Sequence, residues 1–192
     1  MYLVVVSTSY IMRLLLPLIL LCSLLACQPS ENQEASSASA AEVQKPLTVY
    51  LVRHAEKANS PEDPGLTEAG KERAEVLAHM LSSTGIRQVY SSDYARTRET
   101  AVPVAVTLGL ETQLYDPRNL APFAEQLLEA GGAHLVVGHS NTTPQLVELL
   151  GGTPGTAITG AEYDRLYILS VAANKEVNTQ LLRFGKPYSP AE

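Results

Sequence analysis
The chain has 192 residues, with 20 acidic and 14 basic side chains and a formal net charge of −6. This acidic balance argues against nonspecific binding to nucleic acid, which draws on an excess of cations. The length suits one folded domain with additional segments.

The amino terminus reads as a targeting segment. Met12-Arg13 precedes the apolar run Leu14 to Cys27, and a positive residue before a short apolar core is the pattern of a secretion signal. The run is short for a transmembrane helix, and Pro17 interrupts it. Leu24-Leu25-Ala26-Cys27 is similar to a bacterial lipobox, so residues 1–26 are expected to be a signal peptide and Cys27 the lipidated residue. Met12 is a better start than Met1, because Met1 to Ile11 adds nothing a signal needs. A plain signal peptide cleaved nearby is the other reading. In both, Cys22 is removed and the mature chain has no disulfide.

Residues 27–45 comprise that Cys and a tether rich in Ser, Ala, Glu and Gln, with too few large apolar side chains to build a core. Gln28 after the lipidated position suggests outer-membrane sorting, on the periplasmic side of a bacterial membrane. The folded domain is expected over 46–192.

Strands and helices alternate through that domain. Leu47 to Val52 is an apolar run that reads as a buried strand. It ends in Arg53-His54-Ala55-Glu56. Thr67 is placed to cap a helix with Glu68 in its first turn; Ala74, Leu77 and Leu81 line one face, and Gly85 ends it. Gln88-Val89-Tyr90 begins a strand. A helix follows from about Asp93 to Leu108, bent by Pro103. Arg96 and Thr100 share a face near its amino end, where partial positive charge and free N–H groups suit a phosphate; Arg98 points elsewhere. Tyr115-Asp116-Pro117-Arg118 reads as a turn. A helix is expected over Phe123–Ala130, stopped by Gly131-Gly132, then a buried strand over Ala133–Gly138. A helix over Thr142–Leu150 starts just beyond His139, so a second helix amino end faces the same place. Arg165–Val171 and Thr179–Phe184 alternate like half-exposed strands.

Two histidines and two or three arginines thus sit at strand ends, the edge of an open α/β sheet where ligands bind. These are the ingredients of a phosphate pocket. Arg53-His54-Ala55, the block Ser91 to Ala101 with Arg96 in its arginine slot, and Val137-Gly138-His139 together resemble the histidine phosphatase superfamily, also called the phosphoglycerate mutase-like family. Thr97 departs from the usual Ala after that arginine. The similarity spans about Leu47 to Phe184. The resemblance implies a three-layer α/β/α sandwich with a mixed, mostly parallel sheet. It implies that His54 attacks phosphorus and that Arg53 and Arg96 bind the phosphoryl oxygens through planar forks. It also implies that His139, held protonated, adds a charge-assisted hydrogen bond. No metal and no other cofactor is called for.

The resemblance leaves the general acid open. Ser140, not Asp, follows His139, and no Glu-Gly follows the second block. Asp116 lies roughly where an acid would fall, although a residue before proline is also a natural turn former. Some small members of the family manage without a strong acid because their leaving group is already good, as in phosphohistidine or an acyl phosphate. His79 and His134 read as structural or exposed. Glu56 either orients Arg53 or His54 or simply begins the loop. Glu162-Tyr163-Asp164-Arg165 reads as a solvated turn rather than a pocket element. Arg98 and Lys57 read as surface charge, with Lys57 also able to meet an anionic substrate at the pocket mouth.

The leading functional expectation is a lipid-anchored phosphohydrolase that forms a phosphohistidine and acts on a small phosphorylated substrate or a phosphoprotein. A mutase fits less well, since the domain leaves little room for the lid insertions mutases carry. The alternative from another class is a noncatalytic, phosphate-ligand-binding lipoprotein that retains the pocket but lacks an acid.

Overall fold
The computed structural model describes residues 44–188. The expected signal peptide, Cys27 and the tether up to residue 43 lie outside the described residues. Among the described residues no helix is long and apolar enough to cross a membrane.

The elements run β1 (Leu47–Arg53), α1 (Glu68–Leu81), β2 (Gln88–Ser92), α2 (Ala95–Leu108), β3 (Thr112–Tyr115), α3 (Leu120–Ala130), β4 (Gly132–Gly138), α4 (Thr142–Leu149), β5 (Arg165–Val171) and β6 (Val177–Arg183). They form a six-stranded sheet in the order β3-β2-β4-β1-β5-β6. β1 to β4 are mutually parallel; β5 runs antiparallel to β1, and β6 antiparallel to β5. The sheet is therefore mixed and mostly parallel, as expected.

The pleat sorts side chains between two cores, because successive residues of a strand point to opposite faces. Leu47, Val49, Leu51, Val136 and Leu169 pack with Phe123, Leu127, Leu146 and Val147 of α3 and α4. Val52, Val89, Leu135 and Val137 pack with Leu77, Leu81 and Val104 of α1 and α2. Each fully buried Val or Leu contributes about 1.5–3 kcal/mol, so the three-layer architecture follows from which face each residue presents.

Several boundaries differ from the sequence expectation. Thr67 does cap α1, accepting from the Gly70 N–H at 3.1 Å, but the helix stops at Leu81. Ser82 and Thr84 hydroxyls close the turn onto the His79 and Leu81 carbonyls, and Gly85, at φ +69°, redirects the chain into β2. α3 begins at Leu120 rather than Phe123; Pro122 lies within its first turn, where a missing N–H costs nothing. β3 was not expected. It is a four-residue edge strand with two exposed residues, too short and too polar to show a period. Gly132 belongs to β4 rather than to a helix stop, and only Gly131 caps α3.

Candidate active site at the carboxyl edge of the sheet
β1 and β4 are neighbours, and their last pair is Arg53 with Gly138. The ladder continues one step further, where the His54 N–H donates to the Gly138 carbonyl at 2.9 Å. The two histidines that follow these strands therefore meet. Their ring centroids lie 5.5 Å apart in an edge-to-face arrangement. Gly138 is required here for space: a Cβ would stand 2.8 Å from the Tyr115 hydroxyl and 3.0 Å from Thr142 Oγ1.

His54 is buried, with 4% of its surface exposed. Its Nδ1 lies 2.8 Å from the Ala55 carbonyl, which can only accept, so Nδ1 carries the proton and Nε2 keeps its lone pair. The loop beneath is pinned by α2: Thr100 Oγ1 receives the Ala55 N–H at 3.0 Å and donates to the Arg96 carbonyl at 2.7 Å. Burial pushes the His54 imidazole down to about 3, with the Ala55 bond opposing and the charges of Arg53 and Arg96 adding to the fall. The ring is neutral, and hence nucleophilic, across the whole neutral range.

His139 is oriented by a relay of hydroxyls. Thr97 Oγ1 donates to the carbonyls of Ser92 and Tyr94, so it accepts from Ser92 Oγ at 3.1 Å. Ser92 Oγ in turn accepts from His139 Nε2 at 2.8 Å. This explains why Thr occupies position 97: its hydroxyl terminates the relay. Burial, then Arg96 and Arg53, push His139 down to about 4. His139 is therefore neutral in the free site, whereas the protonated form is expected against bound phosphoryl oxygens. A second proton would be drawn onto the ring only by the charge of a bound dianion.

Arg96 lies in the first turn of α2, whose amino end faces the same groove. Its guanidinium sits 4.5 Å from the centre of the Tyr94 ring and 3.5 Å from Asp63 Oδ1. Asp63 Oδ2 also receives the Ala95 N–H at 2.8 Å, so this carboxylate occupies the positive helix end. Arg98 turns outward to Asp93 and Asp63, as expected. Arg53 donates through Nη1 to the Thr159 and Glu162 carbonyls at 2.8 and 2.9 Å. The Nε atoms of both Arg53 and Arg96 are buried without a hydrogen-bond partner. Such a donor costs about 1–3 kcal/mol each, a penalty that an incoming oxyanion would relieve.

His54, His139, Arg96, Tyr94, Lys57 and Arg118 contribute to the lining of one groove of about 360 Å³. Ser140, Asn141 and Thr142 complete one wall, so the amino end of α4 does face the site. Lys57, read as surface charge able to meet an anionic substrate, is exposed and is one of these lining residues. Arg53 lies beside the groove rather than on its lining.

Three expectations need correction or completion. Asp116 is not poised as an acid in the free site: its carboxylate accepts from Arg118 N and Nε, both at 3.0 Å, and these bonds lower its pKa. It stays ionised and is not among the groove-lining residues. Glu56 orients neither Arg53 nor His54 through a direct bond; it forms a forked pair with Arg73 Nε and Nη2 at 2.8–3.1 Å, tying the loop to α1. The Glu162–Arg165 segment is not a solvated turn. Glu162, Asp164 and Arg165 are 3%, 2% and 5% exposed, and the Tyr163 ring lies 4.1 Å from the Arg53 guanidinium. Tyr94, Tyr163, Asp63 and Ser92 were not anticipated as site residues. Tyr94 lines the groove, while Tyr163, Asp63 and Ser92 touch Arg53, Arg96 and His139; Ser92 and Tyr94 fall within the Ser91 to Ala101 block, whereas Asp63 and Tyr163 arrive only through the tertiary fold.

Residues 49–118 match the profile of the histidine phosphatase superfamily (branch 1). A relative from Yersinia pestis (strain Pestoides F), "Probable phosphoglycerate mutase GpmB", is 39% identical over 79 residues, which cover 38% of this chain and 36% of that protein. The chain thus spans about a third of the length of the curated relatives it matches. Among solved structures, the protein histidine phosphatase SixA complexed with tungstate aligns with a TM-score of 0.58 at 19% identity, covering 71% of this chain and 97% of that one. The phosphoglycerate mutase from Bacillus anthracis str. Sterne aligns at 0.56 and 18%, covering 73% and 94%. A mycobacterial glucosyl-3-phosphoglycerate phosphatase aligns at 0.55 and 15%, covering 73% and 99%. At these identities the structural matches speak to the fold alone. Over residues 49–118 the chain is thus similar to the histidine phosphatase superfamily, and its fold is that of the solved structures named above.

Proposed function
We propose that the protein is a phosphohydrolase that acts through a phosphohistidine on His54. The observation that carries this reading is the His54 Nδ1 bond to the Ala55 carbonyl, which leaves Nε2 unprotonated beside His139 and the Arg96 fork. His54 Nε2 forms a bond to phosphorus as the bond to the leaving group breaks, and the leaving group departs with the electron pair. Arg53 and Arg96 hold the equatorial oxygens, where transition-state charge develops. Water then cleaves the nitrogen–phosphorus bond, releasing inorganic phosphate and restoring His54. No step is routed through a metal ion.

The substrate is a phosphomonoester or a phosphohistidine-type compound whose leaving group needs no strong acid. Among the described residues, the groove is lined by no carboxylate. A good leaving group, such as the imidazole of phosphohistidine or a phenol, suits such a site, and the SixA likeness at the level of fold agrees with this.

We place the protein on the periplasmic side of a bacterial membrane, held by lipid on Cys27, with residues 1–26 removed as a signal. A noncatalytic phosphate-binding lipoprotein is the competing reading, and one experiment separates the two. Hydrolysis of p-nitrophenyl phosphate is measured for wild type and His54→Ala, with brief exposure to a labelled phosphate donor. Turnover and an acid-labile, base-stable label, both lost in the variant, are expected. Equal activity in the variant removes His54 as nucleophile, and an inactive wild type that still binds phosphate favours the binding protein.

A further inference from the structure
The segment Glu162-Tyr163-Asp164-Arg165 takes no part in the phosphoryl transfer proposed for His54, yet it is built against Arg53. The Thr159 and Glu162 carbonyls take both hydrogen bonds of Arg53 Nη1. The Tyr163 ring covers the guanidinium face, 4.1 Å from Cζ, and its centroid is 5.9 Å from that of the His54 ring. One edge and one face of the Arg53 fork are therefore occupied, while buried Nε has no partner.

The turn that does this is itself rigidly held. Glu162 Oε2 receives the Thr159 N–H at 3.2 Å. Arg165 donates to both Glu162 oxygens, at 2.7 and 2.9 Å, and to the Thr156 carbonyl at 2.6 Å. Arg183 Nη1 bridges Glu162 and Asp164 at 2.6 Å each. Tyr167, fully buried in β5, donates its hydroxyl to the Pro154 carbonyl at 2.9 Å. Burying charges in this way is costly, and a well-packed apolar cluster would stabilise the fold at least as well. What the ionic cluster provides instead is a fixed geometry for the 154–163 backbone.

We propose that Tyr163 is a positioning residue for Arg53: backed by the buried Glu162–Arg165 pair, its ring sets the plane of the guanidinium so that the Nε edge stays free for a phosphoryl oxygen. The inference rests on Arg53 being an oxyanion ligand. It does not depend on turnover, so it is tested by binding.

The probe is tungstate, an unreactive tetrahedral oxyanion, titrated calorimetrically into the full-length protein, with thermal melting run beside it. Tyr163 is half-buried, so its variants are expected to melt close to wild type. Tyr163→Phe keeps the ring and is expected to bind within about twofold of wild type; Tyr163→Leu loses the cation–π face and weakens binding by about tenfold. The discriminating step is a double-mutant cycle. In an Arg53→Lys background the Tyr163→Leu loss shrinks below about twofold, whereas in an Arg96→Lys background it persists in full, because only Arg53 transmits it. An equal loss in both backgrounds, or no loss in Tyr163→Leu alone, overturns the proposal. A wild type that binds tungstate with this pattern but hydrolyses nothing sinks the phosphohydrolase reading and leaves the positioning role standing. A wild type that binds no tungstate removes both.

Discussion

Acidification is expected to destabilise this fold through His54, and the size of the effect follows from its burial. In the unfolded chain the imidazole titrates at its ordinary value of 6.5; in the folded site burial holds it at about 3. The folded pKa is depressed, so between these values the unfolded state binds more protons. Stability is then fully present above pH 6.5 and is lost as pH falls toward 3. Between pH 7 and pH 5 the loss is about 2 kcal/mol, from 1.36 kcal/mol per unit over roughly 1.4 effective units. For a domain of this size, that is a fall in Tm of about 4–8 °C. The assay is thermal melting of wild type and His54→Gln at pH 7 and pH 5. His139 and His134, also lowered by burial, titrate in both proteins and cancel in the comparison. The variant should show a smaller acid-induced fall by the stated amount. Identical falls in the two proteins would mean that His54 titrates normally, and the case for a permanently neutral nucleophile would collapse. The same neutrality predicts that kcat/KM has no acid limb near pH 6.5.

Arg96→Lys should lower kcat/KM by about two orders of magnitude, because a point charge cannot replace a two-pronged donor. Arg98→Lys, whose guanidinium faces Asp93 and Asp63, should leave it nearly unchanged; the reverse ranking in steady-state kinetics would reassign the phosphate ligand. Gly70→Ala should destabilise by about 1–3 kcal/mol in denaturant melts, since the new Cβ would collide with the Glu56 carbonyl oxygen. Gly160→Ala, where a Cβ meets nothing within 4 Å, serves as its control. Cys27→Ser should abolish partition into detergent and the acyl mass increment, because the expected tether has no apolar surface to hold a membrane. An unmodified, soluble wild type by mass spectrometry would refute the anchor and leave the enzyme reading intact.

The fold was legible where the sequence repeats a physical pattern. Leu47–Val52 and Leu135–Val137 are apolar because both faces of a central parallel strand are covered, and the residues that follow them are forced to the sheet's edge. The groups that interact within one turn were legible too, such as Thr67 with Gly70 and Arg96 with Thr100. What escaped depends on partners far away in the chain. Glu162 and Asp164 look like solvated charges until Arg183, on the outermost strand, folds back over them. Asp63 gives no sign that it will cover the amino end of α2. Asp116 resembled an acid by position, but the sequence also read it as a turn former, and its bonds to Arg118 two residues on bear out the turn.

The pairing of Arg53 with Gly138 has a consequence for how such a site diversifies. Adjacent strands lie about 4.8 Å apart whatever side chains they carry, and the two imidazoles, each one residue past its strand, stand 5.5 Å apart. The gap between them is thus inherited from main-chain hydrogen bonding. It works as a caliper whose jaws no single substitution can reset. Lys57 and Arg118, by contrast, hang from loops outside the ladder and are free to change without disturbing that gauge. Grafting those loops onto another protein of this fold should carry any leaving-group preference with them while the spacing of the two imidazoles stays as it was.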